Sequence, residues 1–181
     1  MSAAERDEWL MAEVVVGKRD SLELLVRRYA TPLLTFIERM VGDPHQSEEL
    51  LQDVFLAVWK NRRQYQFPRP FKAWLYAIAI NRCRTVGRRS VPRPMPLEED
   101  AVLCPTDSPM EAAISTETAN ILVTAVTMLP PQQRAVVALK IWDGLSYAEI
   151  AVVLDRTEAT IRAHMHHGLA ALKKYLEPRM R

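Results

Sequence analysis

The amino-acid sequence predicts an all-α protein: two small helical domains joined by a Pro-rich acidic linker, the second domain containing a helix-turn-helix. Three observations lead there. Only five of 181 residues are glycine, while Leu, Ala, Glu and Arg, which enter helices at little cost, are abundant. Apolar residues recur at spacings of three and four, between residues that start or stop helices. Residues 90–110 carry Pro92, Pro94, Pro96, Pro105 and Pro109 together with the acidic run Glu98-Glu99-Asp100, a composition that extends a chain instead of packing it. The domains then fall at 1–90 and 112–181, with the linker at 91–111.

The elements follow in order. Residues 5–16 form a first helix, closed by Gly17, which tolerates the left-handed cap conformation. A second helix from Ser21 places Leu22, Leu25, Val26, Tyr29, Leu33, Phe36, Ile37 and Met40 on one stripe and ends at Gly42. Pro32 lies inside it and is expected to kink or restart it, with Thr31 as the new cap. Asp43-Pro44 starts a third helix, the acid capping and the proline occupying the first turn. Its core stripe is Leu50, Leu51, Val54, Phe55, Val58 and Trp59, and its other face begins acidic (Glu48, Glu49, Asp53) and ends basic (Lys60, Arg62, Arg63). That order suits the helix dipole.

Pro68 and Pro70 make residues 64–70, QYQFPRP, a loop. A fourth helix spans residues 71–89, with Phe71, Trp74, Leu75, Ile78 and Ala79 along it and Arg82, Arg84, Arg88 and Arg89 near its end. Beyond the linker, Leu122, Ala125, Val126 and Leu129 form a stripe, Pro130-Pro131 opens the next helix, and Asp143-Gly144 closes it.

Residues 145–172 read as two short helices around a tight turn. Ser146 and Glu149 have capping-box spacing. Tyr147, Ile150, Ala151 and Leu154 make an apolar stripe, and Asp155-Arg156 interrupts it. Thr157 caps a longer helix whose inward stripe is Ile161, Met165, Gly168 and Leu172. A helical hairpin has this pattern, and so does a helix-turn-helix, whose second helix enters the major groove of DNA.

Charge distribution bears on partners. No Asp or Glu occurs from Val54 to Leu97, whereas Lys60, Arg62, Arg63, Arg69, Lys72, Arg82, Arg84, Arg88, Arg89 and Arg93 are all basic. Acids cluster on either side. Such segregation marks different partners on different faces. Aromatics interleaved with cations suit single-stranded nucleic acid, since bases stack on rings while cations follow phosphates. Most aromatics of the fourth helix belong to the core, which leaves Tyr65 and Phe67 as the better candidates for base contact and Trp74 between the two assignments.

Other classes find less support. No apolar run approaches the roughly 20 residues that span a bilayer, and the charged start MSAAERDEWLM lacks the apolar core of a signal peptide. Cys83 and Cys104 have no metal-site spacing and fit a reducing, cytoplasmic setting. No phosphate-binding, metalloprotease or carboxylate metal motif appears. His164, His166 and His167, at i, i+2 and i+3, share one helix face poorly. No catalytic residue, metal site or cofactor is therefore predicted.

EELLQDVFLAVW, FKAWLYAIAINRCR, a proline-rich linker and LPPQQRAVVALKIWDGLSYAEIAVVL together resemble the extracytoplasmic-function group of bacterial RNA polymerase sigma factors, over about residues 19–176. The resemblance implies a transcription initiation factor without catalysis. Its partners would be core RNA polymerase (the clamp of the largest subunit and the flap of the second-largest), promoter DNA and an anti-sigma factor. Glu48, Glu49, Gln52, Asp53, Leu56 and Lys60 would meet the polymerase. Tyr65, Phe67, Arg69, Lys72, Trp74, Asn81, Arg84, Arg88 and Arg89 would meet the melted minus-ten element. Thr157, Glu158, Thr160, Arg162, Ala163, His164 and His167 would read the minus-thirty-five element as duplex. The acidic linker would pass through the polymerase's nucleic-acid channels.

The chain departs from the family in places. Thr85 stands where Asp is common, and Phe67-Pro68 where a Gly-Asp pair is common, so the loop should hold a different base or hold it differently. His164, His167 and Leu169 replace frequent basic residues. Upstream affinity should therefore be weak, and should rise below about pH 6.5 as imidazoles gain protons. Gly168 in mid-helix costs about 1 kcal/mol relative to Ala and is expected to loosen the helix. The competing reading is a stand-alone dimeric helix-turn-helix regulator. A two-fold symmetric DNA site would favour it, whereas two unlike elements across a spacer would favour the sigma factor.

Overall fold

In a computed structural model that describes residues 3–89, 121, 122 and 124–178, every regular element among the described residues is helical. Four helices come first: α1 (Ala3–Val15), α2 (Arg19–Val41), α3 (Pro44–Lys60) and, after the 3-10 turn Arg62–Gln64, α4 (Phe71–Arg89). Residues 124–127 are helical as well, and three fully described helices follow them: α5 (Pro131–Ile141), α6 (Tyr147–Leu154) and α7 (Glu158–Leu176). The acidic Pro-rich segment lies outside the described residues.

The helix boundaries follow their caps. Gly17 and Gly42 adopt φ of 98° and 82° at the ends of α1 and α2. The Asp43 side chain accepts the Gln46 N–H at 3.1 Å, with Pro44 in the first turn of α3. Pro32 differs from expectation: α2 runs through it as one helix, and Thr31 caps nothing. Proline inside a helix costs about 3 kcal/mol. Here Tyr29 before it and Leu33, Phe36 and Ile37 after it are all buried on one face. Tertiary burial on both sides outweighs the missing bond.

Helices α1–α4 pack around Leu25, Phe36, Ile37, Val54, Phe71, Leu75 and Tyr76, and α5–α7 around Val136, Leu139, Ile150, Leu154 and Ile161. The two groups also pack on each other, α2 against α5 and α4 against α6. Arg134 donates to the Met40 carbonyl at 2.8 Å, and the Arg39 guanidinium lies 4.4 Å from the centre of the Trp142 ring. At the centre of this joint is Asp143, buried, with its carboxylate accepting the Tyr76 hydroxyl proton and its carbonyl accepting Lys72 Nζ. Its other carboxylate oxygen is buried with no donor among the described residues. Burial pushes the Asp143 carboxyl above the ordinary range, against the opposing pull of Tyr76, Lys72 and Arg39. None of the described helices is long and apolar enough to cross a membrane.

Candidate polymerase and nucleic-acid interfaces

Helix α3 separates two tasks by face. Leu50, Val54, Ala57 and Val58 are buried, while Glu48, Glu49, Gln52, Asp53, Leu56 and Lys60 are all exposed. Leu56 is 53% exposed, unusual for a leucine this close to a packed core. It borders an apolar groove of about 730 Å³ between α2 and α3, lined also by Leu22, Val26, Leu51, Phe55 and Trp59. The sequence places these last five among the core stripes, but they are only half-buried. A stripe broader than its neighbours can cover was the available sign. Trp59 is flanked by the guanidinium groups of Arg62 at 4.1 Å and Arg19 at 5.8 Å.

The minus-ten candidates divide. Tyr65 is buried, its hydroxyl donating to the Arg69 carbonyl and its ring 5.3 Å from that of Trp74. Burial also raises its phenol pKa well above the ordinary value. Trp74 is itself only 8% exposed. Neither ring can stack on a base, so both leave the minus-ten set: they form the core on which the loop rests. Lys72 is half-buried and engaged with the Asp143 carbonyl, which removes it from an open DNA surface in this arrangement. Phe67, Arg69 and Asn81 are exposed. Arg84 is half-buried beside Gln132, 3.4 Å from its side-chain oxygen. Arg88 and Arg89 lie on α4, and their side chains fall outside the described residues. Cys83 is buried, its thiol pushed up to about 12 by burial, so it is a core residue.

The helix-turn-helix forms as the caps predict. Ser146 and Glu149 complete a capping box, and the Thr157 side chain accepts the Thr160 N–H at 3.2 Å. Asp155 makes the turn with φ of 53°, a left-handed conformation that Asp tolerates better than most residues. Thr157, Glu158, Arg162, Ala163 and His167 are exposed on α7, and Thr160 and His164 are partly so. Arg162 pairs with Glu158 at 3.3 Å and lies 4.5 Å from the Tyr147 ring centre, so its guanidinium is already oriented. The expected loosening at Gly168 is not found. Gly168 is buried against α5, where an added Cβ would lie 2.9 Å from Val137 Cγ2. The glycine admits a close helix–helix approach, and the packing offsets its intrinsic cost.

One groove of about 680 Å³ is lined by Arg69 together with Val152, Asp155, Arg156, Thr157 and Thr160. The loop before α4 and the start of α7 therefore face each other across a single cleft.

Helix α7, presented beyond a capped turn, and an exposed acidic-to-basic face on α3 define an all-helical protein of the helix-turn-helix class with a second exposed charged face. Residues 25–90 match the family model for sigma-70 region 2, and residues 119–172 match that for sigma-70 region 4. The sigma factor SigW of Bacillus subtilis, of the extracytoplasmic-function group, is 29% identical over 91% of this chain and 93% of its own. Among solved structures, CnrH bound to the cytosolic domain of CnrY shares the fold with a TM-score of 0.75 at 22% identity, over 96% of this chain and 98% of that one. The sigma factor RpoE bound to the anti-sigma factor NepR from Bartonella quintana does so with a TM-score of 0.67 at 20% identity, over 86% of this chain and 96% of that one. The chain belongs to the extracytoplasmic-function group of the sigma-70 family of RNA polymerase sigma factors. It is a transcription initiation factor that directs the polymerase to promoters. Sigma factors as a family are non-enzymatic DNA-binding regulators.

Proposed function

We propose that residues 1–90 bind core polymerase through the exposed face of α3 and capture the opened minus-ten strand, and that residues 112–181 read the minus-thirty-five duplex. The observation that carries this division is the row Glu48, Glu49, Gln52, Asp53, Leu56 and Lys60, fully displayed beside an apolar groove. Charged residues in register along an exposed rim select a partner and its orientation, while the groove supplies burial. The minus-ten contacts are Phe67, Arg69 and Asn81, with Arg84, Arg88 and Arg89 following the phosphates. Thr157, Glu158, Thr160, Arg162, Ala163, His164 and His167 present the upstream reading surface.

Melting in this scheme needs no catalytic group, no metal and no cofactor. The opened strand must bind better than the duplex, so that contact energy offsets unstacking of a few kcal/mol per extruded base. The protein acts in the cytoplasm, where chromosome and polymerase are. CnrH is seen with the cytosolic domain of CnrY, and RpoE with the anti-sigma factor NepR. An anti-sigma factor that holds the two helical groups together is the corresponding partner here. A stand-alone dimeric regulator leaves the region 2 match without a task.

The test is binding to core polymerase, followed by transcription from a promoter-fragment library. One-to-one binding with starts downstream of two unlike spaced motifs is expected. The double charge reversal E49K/D53K should weaken polymerase binding at least tenfold while leaving the fold intact, because both side chains are exposed. Binding of duplex DNA by a chain that ignores core polymerase would overturn the reading.

A further inference from the structure

We propose that Trp9 and Phe67 form a two-ring platform on which one unpaired base of the melted promoter stacks. The inference deepens the minus-ten reading above and rests on it. Tyr29, Phe36, Tyr65, Phe71, Trp74 and Tyr76 are buried, yet Trp9 is 57% exposed and Phe67 49% exposed. They remain so although their ring centres are only 5.3 Å apart, at an interplanar angle of 56°. One ring comes from α1 and the other from the loop before α4, so the pair is a tertiary construction.

Its supports are specific. Asp7, just before Trp9, accepts the Tyr29 hydroxyl at 2.7 Å and pairs with Arg28, which ties α1 to α2. Glu8 accepts the Phe71 N–H at 2.9 Å, which ties α1 to the first turn of α4. On the other side, Arg69 N–H donates to the Gln66 carbonyl at 2.8 Å, and the Tyr65 hydroxyl donates to the Arg69 carbonyl, closing the loop beneath Phe67. The backbones that carry both rings are thus fixed before any ligand arrives. A preordered surface loses little entropy on binding.

The chemistry selects a base over an apolar protein side chain. A tilted pair with open faces offers stacking area to a flat ring, and every base has a π-face. Arg69 is exposed two residues from Phe67, inside a stretch from Val54 to Leu97 that contains no acid. Glu8, the residue before Trp9 on α1, is held on the Phe71 N–H, so its carboxylate is fixed at the first turn of α4. The structure buries the two rings that sequence nominated beside Phe67, and Trp9 supplies the missing partner.

The test uses full-length W9A and W9F chains assembled with core polymerase. Affinity is measured for a template with a pre-melted minus-ten bubble, taken from a promoter that the parent transcribes, and for a fully paired fragment carrying the minus-thirty-five element alone. W9A should lose about 5- to 150-fold on the bubble template, the range one base–aromatic stack spans. It should bind core polymerase and the paired fragment as the parent does, and W9F should recover most of the loss. Bubble affinity of W9A within twofold of the parent overturns the platform alone, as does an equal loss on all three ligands. A parent that binds core polymerase but opens no promoter overturns the minus-ten reading, and the platform with it.

Discussion

The helix-turn-helix and the loop at residues 65–70 are the two reading surfaces we propose, and they are built on opposite plans. In the first, Ser146, Glu149, Asp155 and Thr157 satisfy backbone groups within three or four residues of themselves. In the second, position is set by contacts from far along the chain, Glu8 on Phe71 and Trp9 on Phe67, and by Trp74 of the following helix under Tyr65. A surface specified locally can present side chains wherever the helix is carried. A surface specified remotely holds its shape only while several helices stay packed. The loop should therefore be the first reading surface to fail when the fold weakens.

The largest effect that sharpens this contrast is expected from W74A. Truncating a buried aromatic costs about 3–5 kcal/mol, and denaturant unfolding should show that loss. At sub-denaturing concentrations, minus-ten strand binding should fall before binding to the upstream duplex. Loss of strand binding at unchanged stability would return Trp74 to the DNA contacts.

Next in size is G168V, which probes a remote dependence of the helix-turn-helix, its packing on α5. The added side chain meets Val137 where there is not room for both, and overpacking of this kind costs about 1–3 kcal/mol. Thermal melting should report it, with weakened binding of the minus-thirty-five fragment. A stable G168V chain would mean that α5 and α7 can separate without penalty.

The smallest expected effect concerns the joint between the surfaces. The pKa of Asp143 is raised by burial, so the closed arrangement holds its proton more tightly than an open one, in which the carboxyl regains water. Between the ordinary Asp value near 3.9 and the raised one, closed chains bind more protons. Closure should therefore strengthen as pH falls through the raised pKa and weaken as pH rises. The scattering radius of the free protein, followed at constant salt, should shrink on acidification, and D143N should flatten the response.

Much of this was legible in the sequence, for reasons the contrast explains. Caps, apolar periodicity and the Asp43-Pro44 start act over one or two turns, so the helices could be placed from residues alone. The exposed rim of α3 was legible too, because a helix face follows from spacing. Pro32 was misread because a local penalty was outweighed by remote burial. Gly168 was misread for the same reason, its apparent weakness being the space that α5 occupies. Tyr65 and Trp74 show the limit most plainly. An aromatic next to arginines looks alike in sequence whether it faces water or a core, and only the packing of α1 and α4 decides. The pairing of Trp9 and the burial of Asp143 carried no local signal, since each owes its setting to residues about 60 positions away.

The shared cleft has a consequence for how the protein meets a chromosome. Elements named for positions minus ten and minus thirty-five are about 25 base pairs apart, roughly 85 Å of duplex at 3.4 Å per pair. If Arg69 meets the minus-ten element and Thr157 the minus-thirty-five element as proposed, they cannot line one groove and also touch sites so distant. On that assignment a solitary chain, folded as here, is short-sighted: it can sample one element or neither, and never measures the spacer. Distance along DNA becomes readable only when something large props the halves apart. The promoter's ruler then belongs to the assembled holoenzyme, and a closed, unassembled factor can drift along the genome without occupying the sites it was made to find.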